Sequence, residues 1–156
     1  GQRTDAPVPL TAGIGFSLAD GVGRARGVND GDGFLFISHR GEIFPSGFLP
    51  VRAGNVRTDD IVEVYRTAPL FRRLRDRSLL KGKCGVCEYR DVCGGSRARA
   101  YALTGDWLEA EPFCVHVPAK YRRMVEAGEA LAPEEYFRGR LRFELPVLTE
   151  HAPPGD

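Results

Sequence analysis

Four cysteines, all between residues 84 and 114, constrain this chain more than any other feature. They stand as Cys84-x2-Cys87-x5-Cys93-x20-Cys114, and the rest of the 156 residues contains none. Two thiolates two residues apart can reach one metal centre, because the intervening backbone curls around it. Gly82 and Gly85 ease the first turn, and Gly94 and Gly95 follow the third cysteine. Backbone amides freed in such turns form an anion-binding nest. Three occupants compete for the sulfurs. Structural zinc takes four thiolates, usually from two short knuckles, and only Cys84 and Cys87 form one here. An iron–sulfur cube takes ligands at separate corners, which suits the longer gaps. All-sulfur ligation serves either, so spacing alone leaves both open. Disulfides come third, since the cysteines are clustered and lack secretory context.

The remaining sequence describes an ordinary globular chain. Hydrophobic residues make up 42% and charged residues 28%, enough for one compact domain with a core. A net charge of +1 gives no field for nucleic acid or an anionic membrane. No apolar run is long enough to cross a bilayer, and no signal peptide opens the chain. A cytoplasmic protein is expected. The chain starts at Gly1, and its 19 glycines and 11 prolines concentrate toward the ends. A segment of a longer protein is therefore expected.

Residues 1–32 are rich in turn signals and predict a linker or irregular lead-in. "GFLFISHRGEIFPSGF" predicts a β-hairpin turning near Arg40-Gly41, with Pro45 and Gly47 ending its second strand. Ile61, Val64, Tyr65, Ala68, Phe71 and Leu74 recur at helical spacing, with Pro69 interrupting. This predicts a helix over about 59–66, with Thr58 as N-cap, and a second opening at Pro69. The stretch 94–106 predicts a helix with Ser96 near its start and Gly105 at its end. Residues 118–130 predict another, with Tyr121, Met124 and Val125 on its apolar side. A weaker stretch begins at Pro133, and the terminal "HAPPGD" reads as disordered. The fold class expected is α+β: a small β-hairpin, short helices and a cysteine-rich cluster-binding lobe. The corresponding domains are a lead-in (1–32), an iron–sulfur domain (33–130) and a partly disordered extension (131–156).

The stretch "GKCGVCEYRDVCGGSRARAYALTGDWLEAEPFC" closely resembles the C-terminal SPASM/twitch segment of radical S-adenosylmethionine (SAM) enzymes. The likeness is strongest to peptide-cofactor maturases and to enzymes of heme and heme d1 biosynthesis, and it covers about residues 28–118. It implies that Cys84, Cys87, Cys93 and Cys114 hold one auxiliary [4Fe–4S] cluster. Relatives with two auxiliary clusters carry further cysteines near the positions of Ser46 and the Gly94–Arg97 stretch. Their absence here implies the single-cluster type. The Cys-x3-Cys-x2-Cys motif that binds the SAM-cleaving cluster is absent from the chain. SAM and that second cluster are expected only in an upstream barrel domain, which would be the partner of this segment. The resemblance leaves the substrate open among a peptide, a tetrapyrrole and a small molecule.

Four thiolates saturate a cube, so electron transfer, redox poise or structural pinning is expected of it rather than substrate ligation. Lys81, Lys83, Arg90, Arg97 and Arg99 flank the cysteines, either as stabilising cations or as solvated surface. His116 stands two residues past Cys114 as a spare ligand or, more simply, a partly exposed side chain. His39 and His151 read as solvent-facing. Tyr89, Tyr101, Trp107 and Phe113 read as cover for the cluster or as a substrate wall. Glu109 and Glu111 have no evident acid–base partner, and no nucleophile triad, P-loop or dinucleotide fingerprint is present. The rivals are a zinc-stabilised interaction module and a stand-alone redox carrier. No catalytic motif lies in this chain itself.

Overall fold

A computed structural model describes residues 29–142. The "HAPPGD" tail, His151 and most of the lead-in lie outside the described residues. The architecture is α+β, as expected: a three-stranded antiparallel sheet and short helices around a cysteine-rich lobe.

The hairpin forms as β1 (Phe36–Ile37) and β2 (Glu42–Phe44), with Phe36 opposite Phe44 and Ile37 opposite Ile43. Ser38 closes the turn, its hydroxyl accepting from the amides of Arg40 and Glu42. A third strand, β3 (Gly54–Asn55), extends the sheet on the far side of β2. Gly and Asn have poor strand propensity, so no local signal announces it. It is held from outside, by the Asp59 carboxylate accepting from the Asn55 amide at 2.7 Å.

Helix α1 (Ile61–Thr67) is capped by Asp60, whose carboxylate accepts from the Glu63 amide. Thr58, the expected cap, instead donates its hydroxyl to the Asn55 carbonyl, and Asp59 serves the sheet. Helix α2 (Pro69–Arg75) starts at Pro69 as expected and buries Phe71 and Leu74. Arg72 and Arg73 face solvent, while Arg75 lies over the Tyr65 ring. A single 3-10 turn (Arg77–Leu79) leads to α3 (Gly82–Gly85), a one-turn helix that carries Cys84. Helix α4 (Arg97–Thr104) has Ser96 as N-cap and a left-handed Gly105 at its end, both read from the sequence. Helix α5 (Ala119–Glu126) is shorter than expected and buries Tyr121; α6 (Pro133–Phe137) follows.

Leu49, Leu74 and Ala98 form the core cluster, with Val51, Leu70, Tyr101 and Trp107 packed against it. Full burial of a leucine side chain contributes roughly 1.5–3 kcal/mol. This cluster joins the sheet end of the molecule to α2 and α4. It thereby fixes the helix that follows the third cysteine.

The segment 29–33 is not a free lead-in. Asn29 and Asp30 are buried, and the Asp30 carboxylate accepts from the Ala98 amide at the start of α4. Gly31 donates to the Pro45 carbonyl, Asp32 pairs with Arg77 at 2.8 Å, and Gly33 donates to the Tyr65 hydroxyl. The carboxylate of Asp30 thus adds to Ser96 at a helix start, where negative charge is favoured.

Candidate metal centre

The four cysteines line one half-open pocket, with Tyr89, Arg90, Gly94, Gly95, Glu111 and His116 completing its wall. Its free space, mouth included, is about 390 Å³. All four thiols are free and partly buried. Cys84 comes from α3, Cys87 and Cys93 from the loop after it, and Cys114 from the segment between α4 and α5.

Local structure explains how the loop closes. Cys87 donates its amide to the Cys84 carbonyl, and the Cys93 amide reaches the Tyr89 carbonyl at 2.8 Å. The chain then turns through Gly94 and Gly95 at φ +66 and +64, where a side chain would be strained. That turn aims the Gly95 amide at the Cys93 sulfur, 3.3 Å away. The Glu111 amide donates to the Cys84 sulfur at the same distance. Two amides therefore face the sulfurs, as a nest for an anionic centre requires. Gly82 has a positive φ of 51, but Gly85 does not. Gly85 is required for a different reason: a Cβ there would lie 2.3 Å from the Leu80 carbonyl oxygen.

Asn29 holds this loop from a distance. Its side-chain amide donates to the carbonyls of Gly95 (2.5 Å) and Cys93 (3.3 Å). Its partners lie 64 and 66 residues along the chain, so the sequence gives no local signal for it. The one available clue was "NDGD", a run of short polar turn residues.

The flanking cations divide into two kinds. Lys81 pairs with Asp106 at 2.5 Å, and Arg90 reaches Asp91 and the Gly85 carbonyl. Arg99 pairs with Glu111 at 2.8 Å. Lys83 and Arg97 are instead buried; Lys83 donates its ammonium to the Cys114 carbonyl. Glu111 is fully buried on the pocket wall, with Oε2 lacking a hydrogen-bond partner. Glu109, also buried, accepts from the Tyr136 hydroxyl at 2.6 Å. Burial, and then the bond to Glu109, push the Tyr136 hydroxyl pKa up.

Burial pushes the Cys87 thiol up to about 11, and raises Cys93 as well. Burial therefore favours the protonated form of these two thiols. A metal centre would displace those protons and offset the cost of burying thiolates.

His116 lines the pocket mouth, its Nε2 3.0 Å from Glu88 and its ring edge-on to Tyr89. His39 lies exposed in the hairpin turn. Tyr89 is part of the pocket wall, but Tyr101 and Trp107 pack on the core instead, and Phe113 is half exposed. Among the described residues, one trio of metal-competent atoms lies within 4.8 Å: Cys87 Sγ, a Glu88 oxygen and a His116 nitrogen. No trio of cysteine sulfurs is drawn in that tightly.

Comparison with known proteins decides what kind of chain carries this pocket. It is 55% identical over 95 residues to an AdoMet-dependent heme synthase of Methanosarcina barkeri, covering 61% of this chain and 27% of that protein. This chain is a relative of radical SAM enzymes. A pre-heme d1 synthase of Dinoroseobacter shibae is 35% identical over 132 residues, covering 82% of this chain and 30% of that protein. A PqqA peptide cyclase of Granulibacter bethesdensis is 30% identical over 112 residues, covering 67% and 30% respectively. No protein-family model matches the chain. The chain thus spans about 27% to 30% of the length of these curated relatives. Among the described residues, no helix is long and apolar enough to cross a membrane.

Proposed function

We propose that this radical SAM relative is an auxiliary-cluster domain in which Cys84, Cys87, Cys93 and Cys114 hold one [4Fe–4S] cluster. The observation that carries the reading is the convergence of all four thiols on one half-open pocket, with two backbone amides aimed at its sulfurs. No three of the four cysteine sulfurs lie within 4.8 Å of one another, which favours a cube over one ion. Tetrahedral zinc would hold its thiolates about 3.8 Å apart, given Zn–S bonds of about 2.3 Å. When bound, such a cluster supplies one-electron transfer. The chain's own residues hold the sulfurs, shield them behind Tyr89 and His116, and fix the loop to α4 through Asn29 and Asp30.

The reading extends to a whole enzyme with a SAM-binding barrel upstream of this segment, working in the cytoplasm. Peptide and small-molecule substrates remain rivals, but a tetrapyrrole is favoured. Two of the named relatives are heme-type synthases, and one of them has the highest identity of the three.

The competing reading is a single zinc ion, favoured by the tight Cys87–Glu88–His116 grouping. Anaerobic purification separates them. Brown protein with about four irons and four sulfides per segment supports the cluster. Colourless protein with one zinc, after anaerobic reconstitution with iron and sulfide has been tried, overturns it. Cys87→Ser is expected to lose the cluster, whereas His116→Ala is expected to keep it; loss of the bound metal in both variants supports zinc.

A further inference from the structure

Arg97 is fully shut off from solvent. A buried guanidinium is costly unless charge or hydrogen bonds compensate it. Its Nη1 donates to the carbonyls of Trp107 (2.9 Å) and Glu109 (2.8 Å), and Nε reaches the Gly95 carbonyl at 3.5 Å. Those acceptors are neutral, so the charge itself is not met by them. Nη2 has no hydrogen-bond partner.

A Cβ built on Gly95 would lie 2.7 Å from Nη2, and Gly95 is part of the cysteine pocket. Burial works against the Arg97 charge; the Cys84 sulfur is the leading group that favours it, ahead of Glu111 and Asp30. Three other cations near the cysteines are paired with carboxylates, Lys81 with Asp106, Arg90 with Asp91 and Arg99 with Glu111, while buried Lys83 donates to the Cys114 carbonyl. Glu111 is engaged by Arg99 through Oε1 and keeps Oε2 unpartnered, so buried Arg97 shares the Gly95 side of the pocket with this carboxylate as well as with the sulfurs.

We propose that Arg97 is the resident counter-charge of the four-cysteine site, its Nη2 lying against the Gly95 wall of the pocket, and that it sets how readily a centre held there accepts an electron. This rests on the reading that the cysteines hold an iron–sulfur cluster. One electron arrives from an added low-potential reductant such as dithionite, which is oxidised; no bond in the site breaks, no proton moves, and the site becomes more negative by one charge. Net charge and hydrogen bonds to sulfur govern such potentials. A buried cation beside Cys84 therefore makes reduction easier.

The test is a mediated redox titration of the full-length, anaerobically purified protein. The relevant signal is identified by its loss in Cys87→Ser. Arg97→Gln is expected to shift the midpoint potential to more negative values with iron and sulfide unchanged. Arg97→Lys keeps a charge but has no second terminal nitrogen for Cys84, so a smaller negative shift is expected. Arg40→Gln, an exposed residue of the hairpin turn outside the pocket, is expected to leave the midpoint in place. An unmoved midpoint in Arg97→Gln, or an equal shift in Arg40→Gln, overturns the proposal. Should Arg97→Gln fail to fold, an unmoved midpoint in Arg97→Lys overturns it instead. Absence of iron and sulfide from the wild-type protein sinks the cluster reading itself, a distinct outcome.

Discussion

Replacing Gly94 by alanine tests whether the cysteine loop depends on a buried ion pair beneath it. The residue sits at φ +66, where alanine costs roughly 1–2 kcal/mol. The new Cβ would also lie 2.0 Å from Arg77 Nη1 and 2.6 Å from its Cζ. Real contacts do not approach so closely, so the guanidinium must move. Arg77 is 6% exposed, and its Nη2 is paired with Asp32 at 2.8 Å. Disrupting a buried pair costs about 3–5 kcal/mol. The expected total is about 4–7 kcal/mol, a large fraction of ordinary domain stability.

Gly128→Ala supplies the control. Its φ is +72, and nothing lies within 4 Å of the new Cβ, so only the backbone cost of roughly 1–2 kcal/mol applies. Guanidinium unfolding of both variants, prepared in the same metallation state, measures the gap. A difference of about 3 kcal/mol or more supports the packing argument. Equal destabilisation would refute it, since strain at φ would then be the whole effect. Adding Asp32→Asn identifies the pair: with the partner changed, the extra cost of Gly94→Ala is expected to shrink.

Asn29→Ala removes both donors to the loop carbonyls of Cys93 and Gly95; a loss of about 1–3 kcal/mol and faster iron release to a chelator are expected, and an unchanged release rate would count against the tether. The Cys87 thiol, raised by burial to about 11, is expected to alkylate slowly in metal-free protein, with roughly a hundredfold less thiolate at pH 8 than an unshifted cysteine. Because its folded pKa lies above the unfolded one, its contribution to metal-free stability is present below the unfolded value and lost as pH rises through about 11. Peptide mapping against pH reads the first effect and unfolding midpoints read the second; rapid alkylation at pH 8 would contradict the burial argument. Ser46→Cys is expected to lose about 1 kcal/mol without gaining iron, because the buried hydroxyl accepts from the amides of Phe48 and Leu49 at 3.1 Å; iron analysis beside thermal unfolding checks both halves.

The elements most readable from sequence were those whose determinants are local. Ser96 and Gly105 bracket α4 because a cap and a left-handed terminator act within one turn. Pro69 opens α2 for the same kind of reason. The cap of α1 was missed by two residues because Thr58, Asp59 and Asp60 are all competent caps. Which one serves depends on Asn55, whose backbone amide and carbonyl take Asp59 and Thr58. Strand β3 escaped notice because its two residues pair through tertiary contacts rather than propensity.

The site divides along the same line. Gathering of the four cysteines followed from their spacing, but the groups that shape the pocket from afar did not. Charge in this chain is abundant, so Arg97 and Glu111 looked no different from surface arginines and glutamates until packing placed both out of solvent. The lead-in segment shows why such residues matter together. Asn29 holds the carbonyls of Cys93 and Gly95, while adjacent Asp30 caps α4 and Asp32 engages Arg77 beneath Gly94. Three residues within a stretch of four therefore clamp the loop, the helix after it and the cation below it. Loosening that clamp must alter the cysteine geometry and the start of α4 at once, because Ser96 and Gly95 are neighbours on the same turn.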